Sequence, residues 1–344
     1  VRVALVGTGV QAIPPVGYGG VERTIAELAT ALRAAGHDPV VLNHVRHGRS
    51  TDEYLFALSV PRLVRSLGAD AVHASTPVVA NRLALAGIPF VYTSHSRHWF
   101  ELSGARQRFG FWLERRAVAR SRVAIALTEP LHAEMVRRVP AAAPRVQTIP
   151  LGVDTTAFRP EPSARSGRAA LGVGIVRPMK RWEVAARAAS AAGWSFRLAG
   201  PTPDGAYAAH VRAAGSTTEL LGELTDDELR REYAHADVLL HPSRVEILAG
   251  AVLQGLAAGL PIVGASPVAG LVDEGVTGWT APPGTGGAEL ETFFTGKLAR
   301  LQDAVARTAM GQAARTVAEQ RYGWPAVVER HIAVYRAVAA PRTP

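Results

Sequence analysis

His241-Pro-Ser-Arg-Val-Glu-Ile-Leu-Ala-Gly-Ala-Val-Leu-Gln-Gly-Leu-Ala-Ala-Gly-Leu-Pro-Ile-Val-Gly264 is the stretch on which the fold turns. It follows an apolar, strand-like run from Asp237 to Leu240 and passes a Pro-Ser turn. It then reads as a helix from about Ile247 to Ala258, which Gly259 and Pro261 stop. A second strand, Pro261 to Gly264, completes half of a parallel α/β unit. Ligands of such sheets sit outside the carboxyl ends of the strands. Glu246 falls there, ahead of a helix whose first amides lack intrahelical partners, so the spot offers donors to a phosphate and an acceptor to hydroxyls. The plainer reading is that Glu246 caps a buried helix.

The apolar run from Ile247 to Ala265 is long enough to suggest a membrane span, with Gln254 its one strongly polar side chain. Gly259 and Pro261 break it, and Ser243-Arg244 and Ser266 flank it, so a buried helix followed by a buried strand accounts for the composition. A chain of 344 residues with 48% apolar content predicts two domains, each with its own core. The absence of cysteine excludes a disulfide framework, a thiolate metal site and a Cys nucleophile, and suits the cytoplasm. The start, Val1 to Val6, reads as a core strand rather than a leader. Net charge is +9, and only Lys180 and Lys297 are lysines among 38 basic residues. The arginines are scattered in short clusters such as Arg115-Arg116 and Arg230-Arg231, without the dense aromatic-interleaved patch of a nucleic-acid surface. The charge suits an anionic small substrate and leaves room for peripheral contact with a membrane.

Arg2 to Gly7 is a continuous apolar strand that leads into Gly7-Thr-Gly9-Val-Gln-Ala12, a match to the dinucleotide fingerprint. That match would make the chain a nicotinamide-dependent oxidoreductase. The fingerprint needs a helix at once, however, and Pro14-Pro15 and Gly17-Tyr-Gly19-Gly20 keep the chain in a loop. The acid that would hold a ribose is also missing, for the second strand, Val40 to Leu42, ends in Asn43 and His44. The first helix starts near Val21, with Glu22 in its first turn and Ile25, Leu28, Ala29 and Leu32 at helical spacing. Gly17, Gly19 and Gly20 ahead of it would let backbone approach a diphosphate, or form an ordinary flexible turn.

Helix and strand then alternate: Leu55 to Leu67, Ala71 to His73, Pro77 to Ala86, and Pro89 to Ser94 with His95 at the strand's carboxyl end. His44, His47 and His98 have less context. Phe100 to Arg120 reads as a long Arg-rich helix whose Phe109, Phe111, Trp112 and Val118 line an acceptor face or simply pack. Ala124 to Leu127 is a strand, and Arg159 to Arg168 a linker. Leu171 to Val176 opens the second half as a strand, followed by Arg177-Pro-Met-Lys180-Arg181. Two cations at that strand end suit a diphosphate leaving group. Lys180 is expected to be exposed to the cleft, and Arg181 to be plain surface charge. Glu219 to Leu224 is a strand, Thr225 with Glu228 a capping box, and a last helix runs from Trp324 to about Val338.

Ser243-Arg-x-Glu246, a helix, and Ala258-Gly-x-Pro-Ile-Val resemble the nucleotide-sugar motif of the family-4 retaining glycosyltransferases, which carries a second Glu where this chain has Gln254. Gly19-Gly20-x-Glu22, Gly36-His37 and Val41 resemble that family's glycine loop and first helix, and Pro89-x-Val-x-Thr-x-His95 its donor-sugar histidine. Val146 to Asp154 with Phe158-Arg-Pro160 resembles the segment closing its first domain, Leu151 standing where Asn is frequent. Lys180 carries over directly. The family's Arg falls on Ile175, with Arg177 two residues later.

The resemblance implies two doubly wound Rossmann-like domains facing across a cleft, the GT-B fold: an acceptor-side domain over 1–160, a nucleotide-sugar domain over 161–322, and 323–344 returning to the first. It implies sugar transfer from a nucleoside-diphosphate donor, UDP- or GDP-linked, to a small-molecule, lipid or saccharide acceptor, with no cofactor. No Asp-x-Asp triplet occurs, so a metal-independent reaction is expected, with Lys180 and Arg177 bearing the leaving-group charge. Glu246 is assigned to donor hydroxyls and His95 to the sugar. Gly17, Gly19, Gly20, Gly222, Leu224, Leu248, Ala249, Gly250 and Gln254 are assigned to the donor, Gln254 at the ribose. Gln254 is also the best argument for a nucleotide-sugar epimerase or a noncatalytic binding protein of the same fold.

Overall fold

Alternate residues of the first strand go to opposite faces, and Val3, Ala4, Leu5 and Val6 are all buried, so both faces of the sheet must be covered. The computed structural model describes residues 1–15, 19–45, 47–48, 50–95, 104–165, 167–246 and 249–339. Two units result, one from Val1 to Gly152 joined by the segment from Trp324 onward, the other Val153–Gly323.

The first unit runs β1 (Arg2–Val6), α1 (Gly20–Ala34), β2 (Asp38–Leu42), α2 (Ser50–Leu67), β3 (Ala71–Ala74), α3 (Pro77–Leu85), β4 (Val91–Thr93), α4 (Gly104–Arg120), β5 (Val123–Ala126), α5 (Glu129–Arg138) and β6 (Val146–Thr148). Its strands form one parallel sheet in the order β2-β1-β3-β4-β5-β6. Ala4 and Val6 face a core built with α2, α3, α4 and α5. Val3 and Leu5 face α1 and the last helix of the chain.

The second unit runs β7 (Ala169–Val173), α6 (Trp182–Ala191), β8 (Ser195–Ala199), α7 (Gly205–Ala214), β9 (Thr218–Gly222), α8 (Asp226–His235), β10 (Val238–His241), α9 (Gly250–Ala257), β11 (Ile262–Gly264), β12 (Gly278–Thr280), α10 (Gly287–Arg300) and α11 (Ala304–Val317). Its parallel sheet has the order β12-β11-β10-β7-β8-β9. The capping box at Thr225 and Glu228 forms as its spacing predicts. The central helix α9 starts at Gly250 rather than Ile247, and Ile247 and Leu248 lie outside the described residues. The final helix, α12 (Trp324–Val338), packs in the first unit. There Gly152 has no room for a side chain, because a Cβ would come within 2.3 Å of the Trp324 ring.

Two boundaries differ from expectation. Residues 153–160, assigned above to the first domain, pack with the second unit: Val153 N donates to Tyr322 O at 2.8 Å, and Arg315 Nη1 donates to the carbonyls of Thr155 and Phe158. The expected linker is anchored as well, since Arg165 donates to the carbonyls of Ala258 and Gly259 at 3.1 and 2.8 Å. A guanidinium reaching helix-end carbonyls converts a Pro- and Ser-containing stretch into a docked one.

Candidate active site

In the second sheet the strand order reverses between β7 and β10, so the loops leaving their carboxyl ends part and open a crevice. Lys180 follows β7 and Glu246 follows β10. Three bonds lace the two loops. Arg181 donates from Nε to Pro242 O at 2.7 Å and from Nη2 to Ser243 O at 3.3 Å, and Arg244 N donates to Met179 O at 2.9 Å. Arg181 is therefore a strut rather than surface charge. It sits in the left-handed region at φ 54, and burial lowers its pKa. Such a conformation in a non-glycine residue is held only by surrounding contacts.

The lacing sets Lys180 Nζ 2.6 Å from Glu246 Oε2, with both side chains only 13% exposed. Exposure to the cleft was expected of Lys180; its side chain is held in this sheltered ion pair. His241, at the end of β10 and 2% exposed, reaches the same oxygen through Nε2 at 2.8 Å, while its ring stands edge-on to Trp182. Burial pushes the Glu246 carboxyl up, but the hydrogen bonds and charges of His241 and Lys180 outweigh it and hold the group down to about 2. Glu246 is not a helix cap: α9 has Ala249 at its N-cap and no side-chain cap bond. Arg177 is exposed at the start of the turn; its carbonyl accepts from Lys180 N at 2.9 Å, and among the described residues no contact brings its side chain to this cluster.

Two of the glycines assigned to the donor have open space beside their backbone. Gly222 ends β9 with φ +74, where an L side chain would be strained, and a Cβ added at Gly222 or at Gly250 would meet no other atom within 4 Å. Leu224 is half-buried and Ala249 buried. Gln254 points its Oε1 at the Tyr233 hydroxyl, 3.0 Å away, and that hydroxyl lies equally close to Ala251 O. Tyr233 is 1% exposed, and burial holds its phenol well above its ordinary pKa.

The first unit holds the other assigned residues. Gly19 is the extended N-cap of α1 and buried; a Cβ there would strike Gln11 Oε1 at 2.6 Å and Pro15 at 2.8 Å. Gly20 opens the helix, and Gly17 lies outside the described residues. Glu22 accepts from Thr8 Oγ1 at 2.6 Å and so ties α1 to the loop after β1. Asn43 takes Gly9 N at 2.8 Å and donates to Gln11 O at 2.8 Å. The residue that replaces a dinucleotide fold's ribose acid is thus spent on closing the glycine loop, which removes the physical basis of the nicotinamide reading. His95, two residues past β4, lines a small pocket with His73, Ser75, Leu151, Trp324 and His331. Burial holds its imidazole down to about 4, and its buried Nδ1 has no partner among the described residues. His98 lies outside the described residues.

His241, Arg181, Tyr233 and Asn43 were given no role in the site from the sequence, where Arg181 read as surface charge and Asn43 only as a missing acid. His241 stands inside the decisive stretch, but a histidine ending an apolar strand reads locally as strand, and its partner is visible only once the turn folds back.

Comparison with known proteins covers both units. Residues 18–157 match the model described as Glycosyltransferase Family 4, and residues 174–300 the model described as Glycosyl transferases group 1. The alpha-maltose-1-phosphate synthase of Mycobacterium tuberculosis is 29% identical over 95% of this chain and 97% of its own. Sucrose-phosphate synthase from Thermosynechococcus elongatus superposes with a TM-score of 0.80 at 17% identity, over 98% of each chain. Anabaena HepE in complex with UDP and glucose superposes with a TM-score of 0.72 at 18% identity, over 98% of this chain and 99% of its own. The fold is therefore that of the GT-B glycosyltransferases, two parallel α/β sheets of six strands each. Matched along both halves in order, the chain belongs to the family-4 glycosyltransferases and is a transferase of sugars.

Proposed function

We propose that the enzyme moves a sugar from a nucleoside-diphosphate donor to an acceptor hydroxyl, with retention at the anomeric carbon and without a metal ion. The observation that carries this reading is the Lys180–Glu246 pair, gathered with His241 at the carboxyl ends of β7 and β10. Donor-sugar hydroxyls would donate to Glu246, which stays ionised at any working pH. Lys180 and the first amides of α9 would offset the charge that develops on the departing diphosphate. The bare backbone at Gly222 and Gly250 suits close approach of the nucleotide. Gln254, oriented by Tyr233, would meet the ribose. His95, held neutral with an unpartnered nitrogen, would bond a hydroxyl of the sugar.

UDP is the favoured leaving group, in line with the HepE complex. Among the described residues no group of three or more His, Asp or Glu side chains is placed to hold a metal, which favours leaving-group stabilisation by protein cations. Glu246 is committed to hydroxyl contacts, so attack from the leaving-group face within an ion pair is preferred to a covalent intermediate. The test is turnover on a panel of UDP- and GDP-sugars with and without EDTA, with the product anomer read by NMR. The expected result is transfer insensitive to chelation and a product that keeps the donor's anomeric configuration. Turnover lost on chelation and restored by magnesium or manganese, or an inverted product, would overturn the reading.

A further inference from the structure

Of ten large hydrophobic side chains that stand exposed among the described residues, seven lie on three adjacent helices of the first unit, α2, α3 and α4. They include Tyr54, Leu55 and Leu58 on α2, Leu85 at the end of α3, and Phe109 and Trp112 on α4; Leu85 is 70% exposed, Leu58 60%, Phe109 50% and Trp112 49%. The three helices cover one face of the sheet and are joined edge to edge. Arg65 of α2 donates to Ala86 O just past α3 at 2.8 Å, and Asn81 of α3 donates to Leu113 O of α4 at 2.8 Å. Phe109 and Trp112 stack with centroids 5.9 Å apart, and the Arg116 guanidinium lies 5.0 Å over the Trp112 ring.

Charge on these helices is sorted by sign. Every acidic residue on them is turned inward. Asp52 is 2% exposed and takes His47 N, Glu114 is 0% exposed and takes the hydroxyls of Tyr92 and Ser94, and Glu53 is only partly exposed, its pKa raised by burial. Arg62, Arg65, Arg108, Arg115 and Arg120 are all exposed. Among the described residues the charge on the outer surface of these helices is therefore cationic, beside apolar and aromatic groups and the hydroxyls of Thr51, Ser59 and Ser66. A soluble monomer rarely keeps such a patch without a use. Aromatic rings with interleaved arginines match the boundary between lipid headgroups and acyl chains: the rings enter the boundary, and the guanidiniums meet anionic headgroups.

We propose that the outer face of α2, α3 and α4 docks the enzyme on an anionic lipid bilayer, with Phe109 and Trp112 as the aromatic anchor and Arg108 and Arg115 as the headgroup contacts. This holds whatever the donor and acceptor are, since none of these residues belongs to the proposed active site. The experiment is flotation of the whole chain with vesicles of phosphatidylcholine alone or mixed with phosphatidylglycerol, at low and high salt. The wild type is expected to float with the mixed vesicles and not with phosphatidylcholine, and salt should weaken the binding without abolishing it. Phe109→Ala with Trp112→Ala should lower partitioning about tenfold, and Arg108→Glu with Arg115→Glu at least as much. Leu58→Ser supplies an independent variant on α2, with an intermediate loss expected. Arg212→Glu with Arg300→Glu makes the same charge change in the second unit and should leave binding as it is. Absence of binding to the mixed vesicles, equal loss in the control pair, or full binding by the aromatic double variant would overturn the proposal. So would self-association of the chain that the aromatic variant abolishes while vesicles are ignored.

Discussion

Lys180, Glu246 and His241 share one carboxylate oxygen, so each can be tested by what it leaves behind. Lys180→Ala should lower transfer by a hundredfold or more, corresponding to about 3 kcal/mol of lost leaving-group stabilisation. Because Lys180 and Glu246 are each 13% exposed, the same change should also cost about 1–3 kcal/mol of second-unit stability, measured by urea unfolding. A fully active Lys180→Ala enzyme would sink the assignment, and an unchanged unfolding curve would mean the ion pair is not formed in solution. His241 reaches Glu246 through Nε2 while its buried Nδ1 has no partner among the described residues, so only the outer nitrogen matters. A glutamine amide can reproduce that position and an asparagine amide cannot. His241→Gln should keep most of the turnover and the donor KM, whereas His241→Asn should raise the KM several-fold. Equal behaviour of the two variants would show that the ring acts by packing alone.

At the scale of an element, α12 is tied to the first sheet by buried polar contacts. Tyr335 OH meets His73 Nδ1 at 2.7 Å, and His73 Nε2 meets Thr93 Oγ1 on β4 at 2.7 Å. His331, on the same helix, packs 5.9 Å from His73, centroid to centroid. Burial lowers both imidazoles: His73 well below its ordinary value, and His331 from 6.5 to about 4. Between 6.5 and about 4 the unfolded chain binds more protons than the folded one, so stability rises with pH there and is lost as pH falls through the window. His331 alone contributes up to about 3 kcal/mol of this acid sensitivity. Urea unfolding between pH 7 and pH 4.5 should therefore show the first unit weakening well before Glu246, which matters only as pH drops below its ordinary 4.5 toward 2. His331→Leu should flatten that slope, and an unchanged slope would remove His331 from the account. Tyr335→Phe should cost about 1 kcal/mol at neutral pH, because His73 loses a buried partner.

At the scale of the whole molecule, each unit has its own core, and the second holds 177–181, 222–224 and 249–254, the segments proposed to meet the donor. Hydrogen exchange with and without UDP should therefore show protection in those segments, at a ligand excess where binding adds about 2–3 kcal/mol. Unchanged exchange there would remove Lys180 and Glu246 from the donor site. No helix among the described residues is long and apolar enough to cross a membrane; within the long apolar run Gly250–Ala257 is a helix and Ile262–Gly264 a buried strand.

What the sequence determined by itself is the local part. Continuous apolar runs such as Val3 to Val6, helical spacing such as Ile25 to Leu32, and the stops at Gly36, Gly259 and Pro261 specify parallel strands alternating with helices, because each signal spans a few residues along one segment. The order of motifs placed Lys180, Glu246 and His95 at strand ends for the same reason. Tertiary structure decided which of them meet. Lys180 and Glu246 pair because β10 lies beside β7, with β8 and β9 on the other side, and sheet order is set by how apolar faces pack across the whole unit. Arg181, Asn43 and Tyr233 have partners in segments 61, 34 and 21 residues away, so nothing in their own surroundings marks them. Arg177 shows the converse: its residue type fits the motif, though it stands two residues past the family's position, and the turn that carries it leaves the side chain in solvent.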